Sequence, residues 1–178
     1  MEEKQYVTTP ILWTKEYENE ISEVYRLFKD QENKIFDLAW HDENPNGLMD
    51  FIENIIRQEL VFVVKDGDRV AGAFILVNPN IFRNVVLSIE AHCAISKRYW
   101  GKTSRDVMNS FKEYLRNNFN INRIIATVPQ CGYGVIKLLK NIGFRHEGTI
   151  KRVLVYNDKN NQPKLYDKLI YALDMEDK

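Results

Sequence analysis

The chain has little cysteine, glycine or proline, no net charge and no long apolar run. Its 178 residues include two Cys, eight Gly and five Pro, which excludes disulfide-stapled, collagen-like and low-complexity proteins. Lys plus Arg and Asp plus Glu both number 25, so net charge indicates neither nucleic acid nor a membrane as a partner. Uncharged stretches such as residues 70–82 are shorter than the roughly 18 apolar residues of a membrane span.

What is present is the composition of one globular domain, with 44% hydrophobic and 28% charged residues. The length predicts a single domain over residues 1–178, large enough to bury a core without disulfides or metal. The polar, acidic beginning (Met1, Glu2, Glu3) is unlike a signal or transit peptide. Low cysteine content favours a reducing compartment, so we expect a soluble, cytoplasmic protein.

The zero net charge conceals two blocks of opposite sign. Residues 16–53 hold eleven acidic and three basic side chains, whereas residues 97–168 hold fifteen basic and five acidic ones. Such blocks are typical of a cleft that takes ligands of opposite charge at its two ends. Two ordinary solvated faces are the alternative, and the sequence leaves both open.

Hydrophobic periodicity and turn residues predict the element order β-αα-βββ-α-β-α-ββ. The predicted strands cover residues 6–13, 60–65, 69–77, 85–95, 124–128, 149–156 and 164–174, and the predicted helices cover residues 18–29, 48–58, 103–118 and 135–141. Turns are predicted at residues 44–47, 66–68 and 157–163, and Thr103 with Asp106 is the predicted capping pair of the third helix. The fold class expected is α/β, with a single mixed, mostly antiparallel central sheet and helices on both faces.

The junction between the fourth strand and the third helix is a candidate phosphate site. Residues 95–104 lead from a strand into a helix N-terminus, where free N–H groups and the helix dipole favour an anion. Gly101 allows close backbone approach, and the surrounding basic residues are Lys97, Arg98, Lys102 and Arg105. A Walker A loop is excluded because Ser96 stands where its first Gly is required. A plain helix start is the alternative.

Residues 98–103, Arg-Tyr-Trp-Gly-Lys-Thr, resemble the Arg/Gln-x-x-Gly-x-Gly/Ala loop of the GNAT-superfamily N-acetyltransferases. The segment Ile-Gly-Phe-Arg-His-Glu-Gly at 142–148 is similar to the "GF…EG" ending of that family, and the element order matches from about residue 60 onward. The resemblance implies acetyl-CoA as co-substrate. By position, it assigns cofactor contacts to Ala94, Ile95, Arg98, Trp100, Gly101, Lys102, Thr103 and Ser104. Within that set, the backbone N–H near Ala94 or Ile95 would polarise the thioester oxygen.

Two departures from the family pattern lie close to these contacts. Thr103 replaces the small last residue of the loop motif, and Gly132 stands where many members have Asn. We expect some rearrangement of the cofactor contacts at both positions.

Acetyl transfer to an amine requires a base, because an amine with a pKa near about 10 is mostly protonated at neutral pH. On the fourth strand Glu90 and His92 alternate with the apolar residues Ile89, Ala91 and Cys93. The resemblance makes Glu90 and His92 the candidate bases, with Glu90 preferred. A structural ion pair is the alternative.

The leaving thiolate has no obvious acid in this sequence. Many family members have a Tyr where Leu139 stands, and Tyr133 is the candidate substitute. Cys93 is expected to be a core thiol, and Cys131 has no base near it in sequence, so direct transfer is preferred over a covalent acetyl-cysteine. His41 and His146 have no metal-ligand spacing, and no metal is expected.

Three function classes follow. The first is an acetyl-CoA-dependent N-acetyltransferase that acts on a small-molecule or peptide amine, with a cationic amine favoured by the acidic block. The second is a catalytically inactive acyl-CoA-binding module on the same fold. The third, based on Gly-Lys-Thr alone, is a nucleotide-binding protein. The acceptor and the oligomeric state, including a homodimer, stay open.

Overall fold

The computed structural model describes residues 6–12, 14–32, 47–157 and 162–175. The seven strands are β1 (Tyr6–Ile11), β2 (Leu60–Asp66), β3 (Arg69–Phe82), β4 (Val85–Ile95), β5 (Arg123–Pro129), β6 (Arg145–Asn157) and β7 (Pro163–Asp174). The helices are α1 (Glu18–Glu32), α2 (Leu48–Phe51), α3 (Lys102–Asn118) and α4 (Tyr133–Asn141), with a π-helical turn at Ile52–Ile56 and short 3₁₀ turns at Lys15–Tyr17 and Lys97–Tyr99.

The strands form one seven-stranded sheet in the order β1-β2-β3-β4-β5-β7-β6. The β4–β5 pair is parallel and the other neighbouring pairs are antiparallel. This confirms the expected mixed, mostly antiparallel sheet. None of the helices within the described residues combines the length and the apolarity that a membrane span requires.

Alternating side chains divide the core into two layers, one on each face of the sheet. On β3, Phe74 and Leu76 join the layer under α3 and α4, whereas Ala73, Ile75 and Val77 join the layer under α1 and α2. Phe74 stacks on Phe111 of α3 with ring centroids 3.9 Å apart. Helices therefore cover both faces, as the sequence predicts.

Gly72 of β3 sets how closely α3 approaches the sheet. A Cβ at this position would lie 2.9 Å from Cγ1 of Val107, well inside normal contact distance. The absence of a side chain there lets the first turns of α3 settle next to the end of β4. The start of α3 is one part of the candidate site.

Several boundaries differ from the sequence expectations. β3 continues five residues past Val77 to Phe82, and the helix expected at 48–58 divides into α2 and the π-helical turn. β6 begins at Arg145 rather than at Thr149. The turn residues 44–46 and 158–161, together with Trp13 and His41, lie outside the described residues.

The predicted capping pair of α3 is wrong. The helix begins at Lys102 with Gly101 as its N-cap, and no side-chain hydrogen bond caps it. Ser104 Oγ instead donates to the Gly101 carbonyl oxygen at 2.6 Å. Gly101 has φ +83°, which glycine adopts without strain, so the turn places the N-cap two residues before Thr103.

Candidate active site

The parallel strands β4 and β5 separate partway along their length. Their register pairs are Ile89 with Ile124 and Glu90 with Ile125, preceded by a bridge between Val86 and Ile121. Within the described sheet, no register pair joins the strands beyond Glu90. The sheet therefore opens at this point, between the carboxyl-terminal halves of the two strands.

Small side chains border the opening on the α3 and α4 side. Ala91 and Cys93 of β4 and Ala126 of β5 line a cavity of about 30 Å³, together with larger side chains of both helices. A cavity of this size is large enough for a water molecule. Leu139 also lines it, buried in the core. The family's usual tyrosine position is thus occupied here by an apolar core side chain.

Glu90 and His92 lie on the opposite face of β4, as the alternation predicts. His92 Nε2 lies 3.9 Å from Glu90 Oε1, and each side chain is 21% exposed. The two groups are thus close to one another, partly shielded and still accessible to a small molecule. Glu90 is in the last register pair of β4 with β5, and His92 follows two residues later, so both lie next to the opening between the strands.

Two residues that sequence reasoning missed contact the Glu90 carboxylate. Thr127 Oγ1 of β5 donates to Oε1 at 2.9 Å, and Asn78 Nδ2 of β3 donates to Oε2 at 3.4 Å. The only sequence signal for Thr127 is a polar residue between Ala126 and Val128 on an apolar strand.

The loop before α3 has the features of an anion-binding turn. Gly101 has positive φ, and a Cβ there would meet no atom within 4 Å, so the space beside it is open. The first N–H groups of α3, at Lys102, Thr103 and Ser104, have no partner within the helix. The loop and helix start therefore fit a phosphate group, and the 17-residue length of α3 supports a strong dipole.

The side chains of this loop divide into fixed and solvent-facing ones. Trp100 is half-exposed, and its Nε1 donates to the Ile95 carbonyl oxygen at 2.8 Å. Tyr99 is buried, and its hydroxyl donates to Asp66 Oδ2 at 3.0 Å. The basic side chains of Lys97, Arg98, Lys102 and Arg105 are exposed. The hydrogen bonds of Tyr99 and Trp100 thus hold the loop to β2 and β4, and its basic side chains face the solvent.

Ala94 and Ile95 are buried at the end of β4, where they pair with Ala73 and Gly72 of β3. The direction of N–H groups alternates along a strand, so one of these two N–H groups points away from β3, toward the β5 side. This is the side on which the sheet opens.

Tyr133 is the first residue of α4, and its side chain is 78% exposed. The structure thus places the candidate acid on the surface, at the start of the helix that follows β5.

Burial acts on the thiols of both cysteines. Burial raises the pKa of the Cys93 thiol to about 11, and partial burial also raises the pKa of Cys131. A thiol becomes a good nucleophile when its pKa is lowered, which is the reverse of both cases. In the described part of the chain, no cluster of three or more His, Cys, Asp or Glu residues is suited to hold a metal ion.

Comparison with known protein families gives a match over most of the chain. The sequence model described as "Acetyltransferase (GNAT) domain" matches residues 13–164, most of the chain. No curated protein matches the sequence.

Solved structures with the same fold are numerous, at low sequence identity. A GNAT-family acetyltransferase from Streptococcus pneumoniae has a TM-score of 0.69 at 15% identity, covering 96% of this chain and 99% of that one. YncA from Salmonella typhimurium, with its cofactor acetyl-CoA, gives 0.67 at 14% identity, covering 97% and 96%. A ribosomal-protein-S5-alanine acetyltransferase from Vibrio fischeri gives 0.66 at 18% identity, covering 99% and 97%. The fold is shared, and with the sequence match to residues 13–164 the chain belongs to the GNAT family of acetyltransferases.

Proposed function

We propose that this protein is an acetyl-CoA-dependent N-acetyltransferase that moves the acetyl group directly from the thioester to a primary amine. The observation that carries the proposal is the pair Glu90 and His92, held 3.9 Å apart where β4 and β5 separate. A partly shielded carboxylate beside an opening in the sheet suits a general base.

Acetyl-CoA would supply the acetyl group as an activated thioester. The residues that would hold its phosphates are Arg98, Trp100, Gly101, Lys102, Thr103 and Ser104. The open space beside Gly101 and the N–H groups that begin α3 fit this role. A backbone N–H of Ala94 or Ile95 would stabilise the negative charge on the reacting carbonyl oxygen.

Glu90 would take a proton from the acceptor ammonium, directly or through water, and so produce the neutral amine. The amine nitrogen would then form a bond to the acetyl carbon as the carbon–sulfur bond breaks. The second proton that the nitrogen loses on becoming an amide would pass, directly or through Tyr133, to the leaving thiolate. General-base help of this kind is typically worth about 10²- to 10⁴-fold in rate. His92 is the second candidate base, and Tyr133 is the candidate acid for the thiolate.

Direct transfer is favoured over an acetyl-cysteine intermediate because both thiols have raised pKa values. We expect Cys93→Ala and Cys131→Ala to keep kcat within about twofold of the wild type, since neither thiol acts as the nucleophile. A loss of turnover in either variant, with the fold and acetyl-CoA binding retained, would support the covalent route instead.

A cationic amine is the acceptor class that we propose, because the acidic block at 16–53 contrasts with the basic block at 97–168. The test compares basic and neutral amines of similar size in competition. Preference for the basic amine supports the acceptor class, whereas equal acetylation of both contradicts it.

The experiment for the whole proposal has two steps. The first measures thermal stabilisation by acetyl-CoA, CoA and ATP at matched concentration, where a ligand at 100 times its Kd adds about 2.7 kcal/mol. The second incubates acetyl-CoA with a panel of polyamines, amino sugars, small amines and N-terminal peptides, and identifies acetylated products by mass spectrometry. Binding without any product would favour the inactive acyl-CoA-binding module, and a larger shift with ATP would favour a nucleotide-binding protein.

A further inference from the structure

The Glu90 carboxylate is held from two neighbouring strands, one on each side of β4. Thr127 reaches it from β5 and Asn78 reaches it from β3. Each donor contacts a different carboxylate oxygen. Donors on both sides restrict the Glu90 side chain to one rotamer, whereas a side chain with one donor can exchange between rotamers.

The Thr127 contact crosses the point where the sheet opens. Glu90 pairs in register with Ile125, and Thr127 lies two residues further along β5, on the same face. Its 2.9 Å hydrogen bond therefore joins the two strands beyond their last register pair. Both donors share one carboxylate as acceptor, and the Thr127 contact, 0.5 Å shorter than that of Asn78, is the stronger of the two.

The Asn78 contact depends on a backbone irregularity. The register of β3 against β4 shifts between Val77 and Asn80, and Asn78 has φ +53°. In a regular strand, Asn78 and Val77 would point to opposite faces, and Val77 lies in the layer under α1 and α2. The bulge brings the Asn78 amide to Glu90, which lies on the same face as that layer. Bulges commonly redirect a side chain next to an active site in this manner.

We propose that Thr127 and Asn78 are positioning residues for the proposed base, Glu90, and that Thr127 contributes more. The inference rests on the proposed function of Glu90. Thr127 makes the shorter contact, and the 3.4 Å separation of Asn78 from Oε2 is at the long end for an N–H···O bond. The two donors fix the orientation in which the carboxylate meets the acceptor, and neither exchanges a proton with it.

The activity test compares Thr127→Val, Thr127→Ser and Asn78→Gly with the wild type. Thr127→Val should lower kcat by about 10- to 100-fold, the factor that corresponds to losing a hydrogen bond to a charged group. The KM for acetyl-CoA should not change, and Thr127→Ser should restore most of kcat because it keeps the hydroxyl. Asn78→Gly retains the positive φ without strain and should lower kcat by less than about tenfold.

Matched controls separate positioning from general effects on stability. Thr149→Val removes a hydroxyl that contacts His146 on β6, outside the site. Asn84→Gly makes the same change as Asn78→Gly at another Asn of positive φ, in the β3–β4 turn. Both controls should keep wild-type kcat, and thermal melts should confirm that every variant is folded.

A second readout does not depend on turnover. NMR coupling constants of the labelled Glu90 side chain should report one fixed rotamer in the wild type and rotamer averaging in Thr127→Val. An unchanged kcat in Thr127→Val, or a fixed rotamer in both proteins, would overturn the proposal. If the wild type acetylates no amine, the proposed function fails, and the rotamer measurement still supports or overturns the positioning role.

Discussion

Gly72→Ala should destabilise the protein because α3 packs against the bare backbone of β3. The new Cβ would lie 2.9 Å from Val107 Cγ1, whereas carbon atoms prefer about 3.5–4.0 Å, so helix and strand must separate locally. Val107 cannot easily turn aside, since a β-branched residue in a helix has one strongly preferred rotamer.

The magnitude follows from two opposing effects. Overpacking costs about 1–3 kcal/mol, and replacing glycine by alanine stabilises by about 0.4–1 kcal/mol through the unfolded state. The net loss should be about 1–2 kcal/mol, which lowers the Tm of a domain of this size by about 2–8 °C. Urea and thermal unfolding without acetyl-CoA measure the loss in the free energy of unfolding and the shift in Tm.

Two further variants identify the cause. Gly134→Ala is the control, because a Cβ there meets no atom within 4 Å, and in the first turn of α4 it should be neutral or stabilising. In Gly72→Ala/Val107→Ala the clash is absent, so the double variant should be more stable than the sum of the single effects predicts, by about 1–2 kcal/mol. If the free-energy effects of the two single variants add strictly, contact with Val107 does not cause the loss. The same follows if Gly72→Ala is as stable as Gly134→Ala.

Two other predictions concern the loop before α3 and the β6–β7 pair. Gly101→Ala forces φ +83° on a residue with a Cβ, so we expect about 1–3 kcal/mol of strain and weaker acetyl-CoA binding by calorimetry; unchanged affinity would mean that the turn is not used. The Lys151 ammonium and the Arg152 N–H lower the pKa of Asp167, so its stabilising effect is present above the unfolded-state pKa of about 3.9 and is lost as pH falls through the lower folded-state value. The Tm difference between wild type and Asp167→Asn should therefore be largest near neutral pH and shrink below about pH 4; a difference that is constant down to pH 2 would contradict this.

Local patterns predicted the elements that depend on neighbouring residues. The alternation of apolar and polar side chains at 85–95 predicts β4 with the same first and last residues as the structure. It also correctly separates Glu90 and His92 from the apolar face. The Asp-Gly-Asp turn predicts the β2–β3 hairpin in the same way. These features are visible in sequence because strand periodicity and turn chemistry act over a few residues.

The remaining features of the site depend on contacts between distant parts of the chain. Thr127 lies 37 residues after Glu90, and their hydrogen bond follows from the β4–β5 register, which no local pattern defines. The bulge at Asn78 likewise follows from how β3 fits β4. The start of α3 was mispredicted because Thr103 and Asp106 resemble a capping pair, whereas the positive φ of Gly101 fixes the true N-cap.

Glu90 is the proposed base in acetyl transfer to an amine. The most direct test measures kcat for the best acceptor in Glu90→Gln, with His92→Gln as the comparison and thermal stabilisation by acetyl-CoA as the binding control. Glutamine keeps the size of the side chain and removes its basicity, so kcat should fall by about 10²- to 10⁴-fold while acetyl-CoA still stabilises the variant. Wild-type turnover in Glu90→Gln would mean that Glu90 is not the base, and a large loss in His92→Gln alone would assign that role to His92.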